Sequence, residues 1–179
     1  MESIKVIMKI ILIGFMGSGK SSIAKLLGRL FHLPILEMDE LVLQKTSTTS
    51  MDHVFAKGGE LLLRETEVAI AQKYASINHV IISTGAGVVL NKIILDYLTK
   101  QEGRIIFLNA SFQTIVTRLA HDTSRPLFNN LMEAESLYYF RQQLYFKYAD
   151  EVIEVDQKSI EQIAQEIFEN SLKGKKNGE

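Results

Sequence analysis

The chain contains no cysteine, which excludes disulfides and thiolate metal sites and fits a reducing compartment. No apolar run approaches the roughly 18 residues that a membrane span needs. Met1 to Lys9 lacks the long apolar segment and small-residue cleavage site of a signal peptide. Net charge is nearly absent: 20 basic against 21 acidic residues give −1, so no bulk attraction to nucleic acid or to an anionic membrane is expected. No internal repeat and no low-complexity linker divides the chain. The four histidines, His32, His53, His79 and His121, share no ligand spacing, and none is read as metal-bound or catalytic. What remains is a cytoplasmic globular chain of 179 residues, long enough to bury a real core. The expectation is one domain over residues 1–172, then a polar, flexible tail over 173–179.

Gly14-Phe15-Met16-Gly17-Ser18-Gly19-Lys20-Ser21 fits G-x-x-x-x-G-K-[ST], the phosphate-binding P-loop. Lys9 to Ile13 before it is an apolar, β-branched run that reads as a buried strand. After it, Ile23, Leu26, Leu27 and Leu30 recur with helical spacing. Strand, loop and helix are the context the motif requires. Its three glycines let the backbone turn tightly and aim N–H groups at a phosphate, and the helix N-terminus adds partial positive charge there. Gly17, Ser18, Gly19, Lys20, Ser21 and Ser22 are the candidate nucleotide-binding residues. Lys20 can reach the outer phosphates of ATP, and the Ser21 hydroxyl can join a Mg²⁺ shell.

Buried-strand patterns recur at Ile10–Ile13, Pro34–Glu37, Val80–Ser83, Ile105–Leu108 and Val152–Val155, with helical patterns between them. This alternation predicts an α/β fold with a five-stranded parallel sheet flanked by helices on both faces. Ligands of such sheets sit beyond the carboxyl ends of the strands. There the second strand carries Glu37 and Asp39, which point the same way if the segment is extended. They read either as a metal-supporting acid and a substrate-facing acid, or as an acidic helix start with Asp39 as cap. Lys57-Gly58-Gly59-Glu60 leads into a helical run from Leu61 to Ala75 that holds Arg64 four residues after Glu60. Arg64 is either a solvated surface partner of Glu60 or a cleft residue for an anionic substrate. Thr84-Gly85-Ala86-Gly87 offers backbone N–H groups at the end of the third strand, or is a plain connection. The polar segment from His121 to Asn130 resembles a mobile lid carrying Arg125, which would stabilise a transferring phosphoryl group if the segment closes. Arg141 and Tyr145 share a helix face, and a further arginine suits a substrate with its own carboxylate. Ser159 with Gln162 forms a capping-box signature.

Taken in order, these pieces resemble the shikimate kinases, small P-loop kinases of the nucleoside-monophosphate-kinase type, over about residues 9 to 170. Ile11 to Ser21 resembles the family's P-loop strand. Asp39 falls on the second acid of D-x-D, and Phe55, Gly58-Gly59-Glu60, Arg64 and Glu67 on F…GE..FR..E. Ser83 to Gly87 falls on the GGG turn, Arg125-Pro126-Leu127 on the lid R-P-L, and Arg141, Leu144-Tyr145 and Ala149-Asp150 on R-x-P-L-Y…A-D.

The resemblance implies transfer of the γ-phosphoryl group of ATP to the 3-hydroxyl of shikimate, with Mg²⁺, on the route to chorismate and the aromatic amino acids. By that resemblance Lys20, Asp39 and Arg125 are the catalytic residues, and Ser21 and Glu37 hold the metal. Arg118 flanks adenine, and Arg125 closes over the phosphates with the lid. Asp39, Arg64, Gly85, Ala86, Gly87 and Arg141 bind shikimate. The substrate segment is about 38–67 and the lid about 121–131, in a monomer. The departures are Glu37 for the first Asp, Ala86 for the middle Gly, Leu63 for Phe, Gln143 for Pro, Phe128 for the second lid Leu and Ser47 for Gly. An Ala86 with φ above zero would cost roughly 1–2 kcal/mol. Glu37 and Ala86 leave open a related kinase acting on gluconate or a nucleotide. A non-catalytic nucleotide-binding regulator is the remaining reading, weighed down by the retained charged residues.

Overall fold

The computed structural model describes residues 8–120 and 130–173. Five parallel strands form one sheet in the order β2-β3-β1-β4-β5, with β1 Met8–Ile13, β2 Ile35–Glu37, β3 His79–Ser83, β4 Gly103–Asn109 and β5 Glu151–Glu154. Successive side chains of a strand point to opposite faces, yet Ile10, Ile11, Leu12 and Ile13 are all buried. Both faces of the central strand are therefore covered, the condition under which parallel sheets occur. The helices are α1 Lys20–Phe31, α2 Met38–Thr46, α3 Met51–Lys73, α4 Lys92–Leu98, α5 Phe112–Leu119, α6 Leu131–Tyr148 and α7 Ile160–Lys173. The first strand pairs with β3 on one side and β4 on the other, so the chain switches direction across the sheet there. Its carboxyl end is where a crevice opens in such folds.

The long run expected after Gly58-Gly59 is present, and a helical segment that was not expected precedes it. α3 begins at Met51, capped by the Ser50 side chain on the His53 N–H, and is broken by a kink at Gly59, where φ 65 and ψ −162 leave the helical region. Asp39, by contrast, is not the cap of α2. That helix starts at Met38, and Asp39 sits in its first turn, so Glu37 and Asp39 do not share an extended segment. The Ser159–Gln162 capping box is present, with Ser159 N–H on Gln162 Oε1 at 2.8 Å and Gln162 N–H on Ser159 Oγ at 3.2 Å.

At the amino end of the sheet, buried Lys9 donates to the carbonyls of Tyr74, Ala75 and Lys100 at 3.0–3.3 Å. A buried ammonium is tolerated only when so bonded, and burial lowers its pKa. Among the described residues no helix is long and apolar enough to cross a membrane. The lid expected at 121–131, with Arg125, falls on 121–129 outside the described residues, as does all of the expected tail beyond Lys173.

Candidate active site

The carboxyl ends of β1, β2 and β3 meet at one cleft. The turn after β1 holds Gly17 at φ 78 and Gly19 at φ 97, both left-handed. Gly19 precedes α1 with no side-chain cap, so the first N–H groups of that helix face the cleft. A methyl built at Gly14 would lie 2.8 Å from both the Leu108 carbonyl oxygen and Ser18 Oγ, so the loop leaves no room for a side chain there. Lys20, 8% exposed, donates to the carbonyls of Gly14 and Phe15 at 2.8 and 3.0 Å. Its ammonium thus lies across the mouth of its own loop. Ser18 is buried, and its hydroxyl has no partner among the described residues. Arg118, from α5, donates to the carbonyls of Gly17 and Ser18 at 3.1 and 3.3 Å, which fastens that helix to the loop.

Gly17, Gly19, Lys20, Ser21, Ser22, Asp39, Thr84 and Ala86 line a cavity of about 210 Å³. Ser21 donates its hydroxyl to Glu37 Oε2 at 3.0 Å and lies 3.4 Å from the Ser83 hydroxyl. The other carboxylate oxygen of Glu37 is buried without a partner among the described residues. Two hydroxyls and a carboxylate with an unsatisfied oxygen form a hard-oxygen donor set, the chemistry Mg²⁺ prefers. The longer side chain of Glu37 therefore still reaches Ser21.

On the acceptor side the glycines of the β3 turn are fixed by what faces them, not by their dihedrals. Neither Gly85 nor Gly87 has positive φ. A methyl at Gly85 would lie 2.9 Å from Asp39 Oδ1 and 3.1 Å from Glu67 Oε1. One at Gly87 would press on the Arg64 guanidinium, 2.7 Å from Nη1. Asp39, Glu67 and Arg64 thus converge on this turn from two different helices. Ala86 has no positive φ either, so the strain attached to that condition does not arise. The turn is held to β1 by Thr84, whose hydroxyl donates to the Leu12 carbonyl at 2.8 Å.

Arg64 is more than a surface partner of Glu60. It donates to Glu60 Oε1 through Nε and Nη2 at 3.2 and 3.1 Å and to buried Glu67 Oε2 through Nη1 at 2.7 Å. Burial works against its charge, but the two carboxylates outweigh burial and raise its pKa. Burial raises the Glu67 pKa, with Arg64 pulling the other way. Arg141, from α6, stands 5.9 Å over the Phe15 ring, and its buried Nε has no partner among the described residues. Burial lowers its pKa first, and the like charge of Arg64 adds to that lowering, while Tyr145, Glu60 and Glu67 oppose it. Two guanidiniums that feel each other's charge favour an anion between them.

Sequence reasoning singled out neither Glu67 nor Ser83 as site residues. Glu67 stands three residues after Arg64, and the helical-neighbour rule applied forwards as well as backwards would have found it. Ser83 carries no local signal beyond its place at a strand end. Among the described residues no cluster of three histidine or acidic side chains could hold a metal ion.

A family model described as shikimate kinase matches residues 16–171. A shikimate kinase of Lactococcus lactis subsp. lactis is 38% identical over 164 residues, covering 90% of this chain and 97% of the relative. The chain superposes on a solved shikimate kinase of Acinetobacter baumannii in complex with shikimate with a TM-score of 0.87 at 26% identity, 96% of each chain being covered. It superposes on the shikimate kinase of Aquifex aeolicus with a TM-score of 0.82 at 32% identity, over 96% of this chain and 100% of that one.

Proposed function

The chain belongs to the shikimate kinase family, ATP-dependent kinases, and we propose that its cleft moves the γ-phosphoryl group of ATP onto the 3-hydroxyl of shikimate. One observation supports the reading for this chain: the P-loop, Asp39 and Ala86 line one cavity, and Arg64 faces Gly87, the residue that follows.

In this reading Gly17, Ser18, Gly19 and Ser22 cradle the phosphates of ATP, and Lys20 leaves the Gly14 and Phe15 carbonyls to bind them. Exchanging two carbonyl partners for phosphate oxygens strengthens its hydrogen bonds, because both partners are then charged. Ser21 and Glu37 would hold Mg²⁺, with the Ser83 hydroxyl beside them. When bound, that ion neutralises charge on the outer phosphates. Arg118 supports the loop and lies on the adenine side, and Arg125 joins Lys20 in stabilising the transferring group.

Arg64 and Arg141 clamp the shikimate carboxylate. Gly87, Gly85 and Ala86 present the turn's backbone to the ring hydroxyls. Asp39 accepts the proton of the attacking hydroxyl, a role worth about 10²–10⁴ in rate. Phosphoryl transfer asks little covalent chemistry of the protein, so positioning and charge account for most of the acceleration. The reading takes the enzyme to be a cytoplasmic, single-domain monomer, with neither nucleic acid nor membrane as a partner.

An ADP-release assay tests the reading. Turnover is expected with shikimate and not with gluconate or nucleoside monophosphates. Shikimate-independent ADP release alone, or preference for another acceptor, would overturn it.

A further inference from the structure

Tyr145 is the largest fully buried side chain among the described residues, 1% exposed, and the roles assigned above leave it without one. Its ring stacks on Phe107 of β4, centroids 5.0 Å apart and planes at 27°. Its hydroxyl donates to the carbonyl oxygen of Ala86 at 2.6 Å. Burial raises its pKa, so the group remains an O–H donor across the working range.

This one hydrogen bond spans the acceptor side of the cleft. At one end is the β3 turn, whose middle peptide lies between Gly85, facing Asp39 and Glu67, and Gly87, facing Arg64. At the other end is α6, where Arg141 lies four residues before Tyr145 and so on the same helix face. The turn carries a methyl at Ala86, which lines the cavity beside Lys20 and Asp39. With its carbonyl pinned, the Ala86 peptide cannot rotate, and both the methyl and the following N–H of Gly87 are held in direction. A second tyrosine anchors α6 elsewhere: Tyr138 donates to the Ala110 carbonyl at 2.8 Å. Loss of one anchor therefore leaves the helix attached.

Resting on the reading above, we infer that Tyr145 is a positioning residue for the acceptor: its hydroxyl fixes the Ala86 peptide against the α6 helix and so holds the turn and Arg141 in register.

The test is Tyr145→Phe, which removes the hydroxyl and keeps the ring on Phe107. Wild type is first shown to turn over shikimate; if it does not, the reading fails and this inference with it. Given wild-type turnover, the variant is expected to raise the shikimate KM by about fivefold, the worth of one net hydrogen bond, with the ATP KM unchanged and kcat nearly so. Calorimetry should show the same loss in shikimate affinity and none for ADP, and the Ala86 and Gly87 amide resonances should shift. Equal changes in both KM values would assign Tyr145 to general packing and overturn the inference. So would an unchanged shikimate KM. A variant too unstable to assay would also contradict it, because a role confined to one hydroxyl leaves ring packing and fold in place.

Discussion

Nη1 of Arg64 donates to Oε2 of Glu67 at 2.7 Å, and Glu67 is only 2% exposed. A buried carboxylate so placed fixes the guanidinium that faces Gly87, at the cost of its own hydration. Glu67→Ala would strand Arg64 beside the exposed Glu60 alone, and removing one partner of a buried pair costs about 3 kcal/mol or more. Equilibrium urea unfolding should show that loss, together with weaker shikimate binding.

The same pair predicts a pH dependence. Burial raises the folded-state pKa of Glu67 above the usual 4.5. A group raised on folding contributes stability that is present below its unfolded pKa and lost as pH rises through its folded value. Glu67→Gln has no such titration. The stability of Glu67→Gln relative to wild type should therefore rise from pH 4 upward and level off once Glu67 is fully ionised. A gap between the two proteins that stays constant from about pH 4 to 8 would refute the raised value.

Asp39 faces the turn at Gly85 from the far wall of the cavity that the P-loop lines. Asp39→Asn keeps its shape and removes its capacity to take a proton. Turnover should fall by about 10²–10⁴, while ADP affinity by calorimetry stays within about twofold, since the nucleotide cradle is untouched. An equal loss of nucleotide binding would contradict the division of the cleft into two sides.

Arg141 offers a buried Nε that has no partner among the described residues and lies within the field of Arg64. Arg141→Ala should weaken shikimate binding by the worth of a charge-assisted pair, on the order of 2–4 kcal/mol. Arg141→Lys should restore little of it, because an ammonium cannot make two parallel bonds to a carboxylate. A shikimate KM unchanged in Arg141→Ala would exclude the clamp.

The inner strands β1, β3 and β4 were legible because strands buried on both faces read as continuous apolar runs. The edge strands β2 and β5 are less buried and were legible as short apolar runs alternating with helical patterns. Each observed strand lies within two residues of its expected bounds. The P-loop was legible because its spacing carries its own mechanism. The break in α3 was legible as well: Gly58-Gly59 reads as a breaker, and the chain leaves the helical region at Gly59. The helical turns before it, from Met51, were not expected. The Glu67 partner of Arg64 lay one turn away and was readable. The hydrogen bond from Tyr145 to Ala86 joins residues 59 positions apart, and the approach of Arg64 to Gly87 is equally non-local. Only the packed structure brings them together.

Two departures from the family's glycines carry opposite expectations. Ser47 ends α2 at φ 52 and ψ 46, with its N–H on Gln44 and the Thr48 N–H on Leu43, the left-handed helix terminus that glycine suits. A Cβ there costs roughly 1 kcal/mol, partly returned by the greater unfolded-state freedom of glycine. Ser47→Gly should therefore stabilise the protein by somewhat under about 1 kcal/mol and raise Tm by up to a few degrees. Ala86 is not left-handed, so Ala86→Gly relieves no strain and adds unfolded-state entropy, and it should destabilise by about 0.4–1 kcal/mol. Thermal unfolding of both variants beside wild type settles the pair. Shifts of the same sign would mean that backbone dihedrals do not govern the two sites, whereas opposite signs tie glycine at the first position to conformation and leave the second free to carry a side chain.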